Sequence, residues 1–277
     1  MAQNDWGVFC APGSEYIDKA SWAESLCKMV GAGSYDATAE SVTWLQIMGN
    51  GLIWHFVVFL LALVIAFALG SLLGVIRTTP SKWLVGVGNA YVELFRNIPL
   101  IIQLFFWARV FPEFLPTSVS ADDGSTVAGA GYKQMVNTMP WVVAGLGIGL
   151  YHAARISEQV RAGIQAIPTG QWSAGFAMGM SRAQVYMYTI LPVAFRTVWP
   201  TLTSEVMNLF KNTSVAFAIG VFNLYFYTKS MNEETSQDLV IMVVTTLVYL
   251  FFTYTIKFLM ARFEKRLAIP GLSMGGK

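Results

Sequence analysis

The sequence predicts an all-α integral membrane protein of about five transmembrane helices, with the N-terminus outside and the C-terminus inside the cell. Three observations carry that expectation. The 277 residues are 55% hydrophobic, with a mean hydropathy of +0.52. Only 12% are charged, about half the share found in a soluble domain. Lys and Arg gather in alternate connecting segments, the asymmetry that orients membrane helices. A formal charge of +2 is too small to suggest nucleic acid as a partner.

Residues 1–50 hold six acidic residues against Lys19 and Lys28, and no basic segment followed by an apolar run, so no cleavable signal peptide is expected. Three of the nine tryptophans, Trp6, Trp22 and Trp44, lie here, and an interfacial helix is expected near 38–48. Cys10 and Cys27 are compatible with a disulfide in an oxidising compartment and equally with two free thiols. They form no C-x-x-C pair of the metal or redox kind.

Residues 51–76, "GLIWHFVVFLLALVIAFALGSLLGVI", meet outright the ~20-residue requirement of a bilayer core. The second span, 89–111, is long enough but holds Glu93, Arg96 and Arg109. The third, 138–160, runs through Gly145, Gly147 and Gly149, which suit tight helix packing, and turns polar at Arg155 and Glu158. The fourth, 193–220, carries Arg196, Glu205 and Lys211. The fifth, 238–260, is apolar apart from Asp238 at one end and Lys257 near the other. Arg77 and Lys82 follow the first span, Arg161 and Arg182 the third, and Arg262, Lys265 and Arg266 the fifth. The opposite segments are acidic or neutral: the N-terminal tail, residues 112–137 with Glu113, Asp122 and Asp123, and residues 228–237 with Glu233 and Glu234. Five crossings satisfy every loop and place residues 161–192 inside the cell.

Within that inner segment stands "GQWSAGFAMGMSRAQVYMYTILP", residues 170–192. Its first ten residues are too short to cross a membrane and are broken by Gly175 and Gly179. Ser173, Ala174, Gly175, Ala177 and Gly179 permit close backbone approach to another surface. Trp172, Phe176, Met178 and Met180 supply adaptable apolar contact. Pro192, after Leu191, suits the first turn of the next helix. Two readings fit these features: a helix that docks on a moving partner, and an interfacial helix that lies on lipid.

The same stretch resembles the EAA loop of ABC-importer permeases, in which E-A-A, three residues, Gly, nine residues and I-x-L-P recur. Gly179 takes the glycine position and Leu191-Pro192 the L-P. Ser173-Ala174-Gly175 stands where E-A-A would be, and Thr189 where isoleucine would be. "YVELFRNIPLIIQLFF" (91–106), "ARISEQVRAGIQAIPTGQ" (154–171) and "SEVMNLFKNTSVAFAIG" (204–220) are similar to the polar amino-acid branch of that family. Together the resemblance covers residues 51–266.

What it implies is a type I ABC importer permease fold in the inner membrane of a bacterium. A periplasmic tail (1–50) would precede a multi-pass transmembrane domain (51–266) with a coupling loop at 168–192, followed by a cytoplasmic tail (267–277). In such importers the loop sits in a groove of a cytoplasmic ATPase and passes its motion to the membrane helices. That role would fall to Gly170, Gln171, Trp172, Ser173, Ala174, Gly175, Met178, Gly179, Met180, Leu191 and Pro192. The implied partners are an ABC ATPase dimer, a second permease subunit (sister or identical) and a periplasmic amino-acid-binding protein. The cargo would be a polar amino acid, glutamate or aspartate. ATP and Mg would be held by the ATPase subunits. This chain contains no G-x-x-x-x-G-K-[ST] and so no P-loop of its own.

The remaining polar residues are expected to stabilise or line the bundle. His55 and His152 stand singly in apolar helices, where a satisfied packing role is expected, and no His/Cys cluster suggests a metal. Glu93 and Arg96, like Glu158 and Arg161, are spaced i, i+3, so each pair is able to neutralise itself locally and fix a gate region. Glu205, Asn208 and Asn212 share one helical face with Lys211 beside it, and Thr213 and Ser214 continue the polar run. A translocation path and a buried interhelical network are both open for this group. A stand-alone channel or secondary transporter would explain the polar spans but not the 170–192 pattern. A membrane enzyme would need a catalytic constellation, and none assembles from the sequence; a transport component is expected.

The topology has a direct check. In a Cys-less background, cysteine placed at Ser125 should react with an impermeant reagent in intact cells, and cysteine at Ser181 should not. Equal labelling of the two would overturn the five-span arrangement.

Overall fold

A computed structural model of the chain describes residues 43–119 and 126–267. Cys10, Cys27, residues 38–42 of the expected interfacial helix and the tail from 268 onward lie outside the described residues. The elements are α1 (Trp44–Ile76), α2 (Lys82–Asn97) and α3 (Leu100–Phe105), the last continuing through a π turn (Phe106–Val110) and a 3-10 turn (Phe111–Phe114). A short antiparallel hairpin follows, β1 (Thr117–Val119) on β2 (Thr126–Ala128), with Ser118 opposite Val127. Then come α4 (Ala130–Thr138), α5 (Pro140–Gln165), α6 (Thr169–Ala177) and α7 (Arg182–Gln184). A π turn (Val185–Ile190) leads into α8 (Leu191–Asn212), a 3-10 stretch (Thr213–Ile219), α9 (Leu224–Thr235) and α10 (Asp238–Leu267).

By length and composition α1 and α10 are able to cross a bilayer. A third crossing is counted if α2 and the α3 stretch, bent by 105° against each other, form one broken span. α5 and α8 are long, at 26 and 22 residues, but carry ionisable side chains along their length. α1 begins at Trp44, ahead of the expected 51. Residues 44–48, expected to lie in an interfacial helix, form its first turn. Trp44, Ile47 and Met48 are buried there against Leu224, Tyr227 and Met231 of α9 and Val240 and Ile241 of α10.

The second expected span, 89–111, is not continuous. Ile98 is extended (φ −102°, ψ 130°) because the following Pro99 disfavours helical backbone before it. The carbonyls orphaned by the break are taken up by Gln103, whose Nε2 donates to Phe95 O at 2.8 Å and Ile98 O at 2.9 Å. Prolines also explain the two π turns. Phe111 N–H reaches back to Phe106 O and Leu191 N–H to Tyr186 O, one residue before Pro112 and Pro192. Proline has no N–H to continue the α ladder, and the wider turn absorbs the mismatch.

The core forms where α1, α5 and α8 meet, with Val58, Ala62, Ala66, Ile148, Ile156, Leu202, Leu209 and Phe210 all buried. α1 and α5 approach closely at glycines: a Cβ on Gly70 would lie 2.8 Å from Ala153 O, and one on Gly149 would lie 2.8 Å from Ile65 Cβ. The glycines read from the sequence as packing positions do pack, Gly145 against Leu61 and Gly147 against Leu104. Small residues allow this approach, and dispersion between closely packed helices holds them together where lipid supplies little driving force.

Candidate functional site

The 168–192 segment folds as a helical hairpin. α6 ends in a Schellman turn, with Gly179 N–H donating to Phe176 O at 2.9 Å and Met180 N–H to Gly175 O at 3.2 Å. Gly179 takes φ +76°, which a side-chain-bearing residue adopts only at a cost, and nothing lies within 4 Å of where its Cβ would be. Ser181 opens the second arm with a capping box: Gln184 N–H donates to Ser181 Oγ, and Ser181 N–H donates to Gln184 Oε1 at 2.8 Å. The arms are clasped by Gly175 against Val185 and by the Trp172 and Tyr186 rings, edge to face at 4.9 Å. Gly170, Ser173, Ala174, Met178 and Gly179 stay exposed on the outer side, while Gln171, Trp172, Met180, Leu191 and Pro192 are half-buried. On the inner side, Tyr186 O–H donates to Thr78 O at 2.6 Å, which ties the hairpin to the end of α1.

Beside that contact lies a first polar cluster, centred on a residue that the sequence offered only as a loop charge. Arg77 has a side chain only 3% exposed. Its Nε donates to Asn89 Oδ1 at 2.8 Å, one terminal nitrogen to Ser157 Oγ at 3.2 Å, and the other to Glu158 Oε1 at 2.6 Å. Arg96 reaches the same Glu158 oxygen at 3.5 Å. The expected local pairs therefore do not form. Glu158 pairs across helices with Arg77 and Arg96 instead of with Arg161, whose Nε is buried without a hydrogen bond among the described residues. Glu93 makes no ion pair among the described residues. A helix-local i, i+3 pair would leave the nearly fully buried Arg77 without its counter-charge, whereas the cross-helix arrangement pairs it.

The second cluster resolves the Glu205 group. Glu205 is 2% exposed, and its Oε1 accepts from His152 Nδ1 at 2.7 Å and Arg155 Nε at 2.7 Å. Asn212 Nδ2 lies 3.2 Å from His152 Nε2. A neutral imidazole with its proton on Nδ1 satisfies both contacts at once, donating to Glu205 and accepting from Asn212. Glu205 and Asn212 thus belong to an interhelical network linking α5 to α8. Thr213 is buried and donates to Leu209 O at 2.9 Å. Asn223 caps the start of α9 and donates to Thr213 O and Ser214 O, both at 3.0 Å, pinning the end of α8. His55 Nε2 lies 3.0 Å from Phe210 O, inside a cage that includes Phe210 and Tyr249, while its Nδ1 is buried without a hydrogen bond among the described residues, so the expected satisfied role is met at one nitrogen.

Asn208 is half-buried and Lys211 is exposed. Lys211 lines a half-open cleft of about 410 Å³ between α8 and α10, together with Met207, Thr246, Tyr249, Tyr254 and Lys257. Neither Lys211 nor Lys257 makes an ion pair among the described residues, so the cleft presents two cations and several hydroxyls. Lys257 went unnoticed as a site residue because a lysine near the end of an apolar run reads as a headgroup anchor. No spacing rule connects it to Lys211, which lies on another helix.

Removing the buried carboxylate has a measurable consequence. Glu205→Leu strands His152 and Arg155, and should lower the unfolding free energy of the detergent-solubilised protein by about 2–3 kcal/mol. That lies below the figure for a fully buried pair because water screens Arg155, whose side chain is 41% exposed. Thermal denaturation of wild type and variant checks this, and an unchanged midpoint would mean that the network contributes nothing to stability.

Residues 66–269 match the family described as binding-protein-dependent transport system inner membrane component. The glutamate/aspartate import permease protein GltJ of Escherichia coli K12 is 39% identical over 218 residues, covering 78% of this chain and 85% of that one. The probable glutamine ABC transporter permease protein GlnM of Bacillus subtilis is 30% identical, over 75% of this chain and 87% of its own. Among solved structures, the crystal structure of an amino acid ABC transporter with histidines shares the fold with a TM-score of 0.66 at 23% identity, covering 80% of this chain and 95% of that one.

Proposed function

The chain belongs to the binding-protein-dependent transport system inner membrane components, and from that premise we propose that its cargo is an acidic amino acid, glutamate or aspartate. It is a permease subunit of an amino-acid ABC importer, a transport component and not an enzyme. In this proposal it crosses the inner membrane five times, with residues 1–50 in the periplasm and 267–277 in the cytoplasm. A sister or identical permease completes the pathway, a periplasmic binding protein delivers the amino acid, and an ATPase dimer holding ATP and Mg docks on the 168–192 hairpin.

The observation that carries the cargo reading is Lys211, a cation without an ion pair among the described residues, on the α8–α10 cleft of a relative of a glutamate/aspartate permease. A dicarboxylate entering a low-dielectric path loses water from one carboxylate more than a neutral amino acid does, which costs several kcal/mol unless a cation meets it. Lys211 meets that need, with Asn208 and Ser214 next to it on the same polar run. Glu205 serves as the buried anchor behind α8.

Lys211→Met should therefore lower uptake of aspartate and glutamate by about tenfold or more while the complex still assembles. Binding-protein-dependent ATP hydrolysis in proteoliposomes measures this, and unchanged stimulation by both acidic amino acids would remove Lys211 from the path.

The hairpin has its own check. Gly179→Leu forces a branched residue into left-handed backbone, at about 1–2 kcal/mol, and fills the open space beside the turn. Uptake should be abolished and ATPase co-purification weakened at normal expression. Normal docking and transport would refute the coupling role.

A further inference from the structure

The hairpin touches the membrane helices at a point whose neighbours form one connected polar chain. Trp172 on α6 packs edge to face on Tyr186, and the Tyr186 phenol donates to the Thr78 carbonyl at 2.6 Å, with Thr78 Oγ1 also 3.3 Å away. Thr78 is the residue after Arg77. Thr78 and Thr79 hydroxyls donate to Val75 O and Ile76 O, both at 2.7 Å, so the end of α1 is a closed turn and not a loose loop. Arg77 then fans out to Asn89 on α2 and to Ser157 and Glu158 on α5. Thr78 thus joins the hairpin to a node that already holds three helices.

We infer that Tyr186 and Arg77 are positioning residues for transport: they convey displacement of the 168–192 hairpin to α1, α2 and α5 together, an inference that rests on the coupling role proposed above. A hairpin held only by apolar packing slides over its neighbours, because dispersion contacts have little directional preference. A short hydrogen bond onto backbone fixes the point of application. The planar guanidinium of Arg77, with its three nitrogens each on a different acceptor, distributes the displacement in set directions. Glu158 sits between Arg77 and Arg96, so it has two alternative cationic partners within reach. A helix shift that lengthens one of these contacts leaves the other in place, so the carboxylate stays paired while the hairpin moves.

Tyr186→Phe isolates the relay, because it keeps the ring on Trp172 and deletes only the phenol. In the reconstituted complex with its ATPase, partner permease and binding protein, Tyr186→Phe should leave assembly unchanged. Stimulation of ATP hydrolysis by glutamate-loaded binding protein should fall about fivefold, the equivalent of one hydrogen bond. Adding Glu158→Gln should lower it little further, since both changes interrupt one path. Spin labels at Ala183 and Gly86, compared before and after ATP–vanadate trapping, supply a readout that needs no cargo. In the wild type hairpin and α2 should move as one body and hold a narrow distance distribution, and in Tyr186→Phe the distribution should broaden. Wild-type stimulation with an unaffected Tyr186→Phe variant would overturn the relay and leave the importer reading intact. Wild type that responds to no glutamate would refute the cargo, while the spin-label distances, broadened or not, would still support or overturn the relay.

Discussion

Where α1 crosses α5, glycines on each helix take up side chains of the other, and the rest of the bundle is arranged around that crossing. The Ala153 carbonyl sits 2.8 Å from where a Cβ on Gly70 would be, and Ser157 O 3.0 Å from one on Gly74. Such proximity leaves no room for lipid or water. Polar groups carried into the bundle beside it are met mainly from other helices. α5 carries His152, Arg155, Ser157 and Glu158 within two turns, and each of them bonds to α1 or α8. The close packing and the polar clusters are one arrangement: small residues bring the helices together, and cross-helix pairs set their register.

The two clusters divide by position along α5. His152 and Arg155 hold α8 through Glu205 near the middle of the helix, while Ser157 and Glu158 hold α1 and α2 through Arg77 one turn further on. In hydrophobic surroundings a charge withdrawn from water is retained only with a close counter-charge and filled hydrogen-bond capacity. Arg77 meets this with three different acceptors, and Glu205 with two basic partners.

Proline placement shapes the chain at three further points. Pro99 divides the second hydrophobic stretch into an amphipathic arm and a separate arm bent by 105°. Pro112 and Pro192 each follow a π turn that widens the helix where the next donor is missing. At Pro192 the widening leaves helical backbone continuous from the hairpin's second arm into α8.

Sequence by itself determined the class of the protein and its family. Both rest on local facts: apolar runs of bilayer length, alternating basic loops, and several motifs in fixed order. It also marked Gly179 and Pro192, whose roles at a helix end and a helix start follow from the chemistry of one residue. It did not show the 105° bend at Pro99 within the second expected span, because an apolar run looks the same straight or broken. Tertiary structure alone decided which charges meet. Glu158 lies three residues from Arg161 yet pairs with Arg77, which is 81 positions away. Glu205, on the same face as Asn208, turned inward to His152 and Arg155, while Lys211 faced the cleft with Lys257. Spacing fixes which residues share a helix face, whereas the pairing energy of a buried charge depends on what the neighbouring helix brings within about 3 Å. That neighbour is set by packing between segments far apart in the chain.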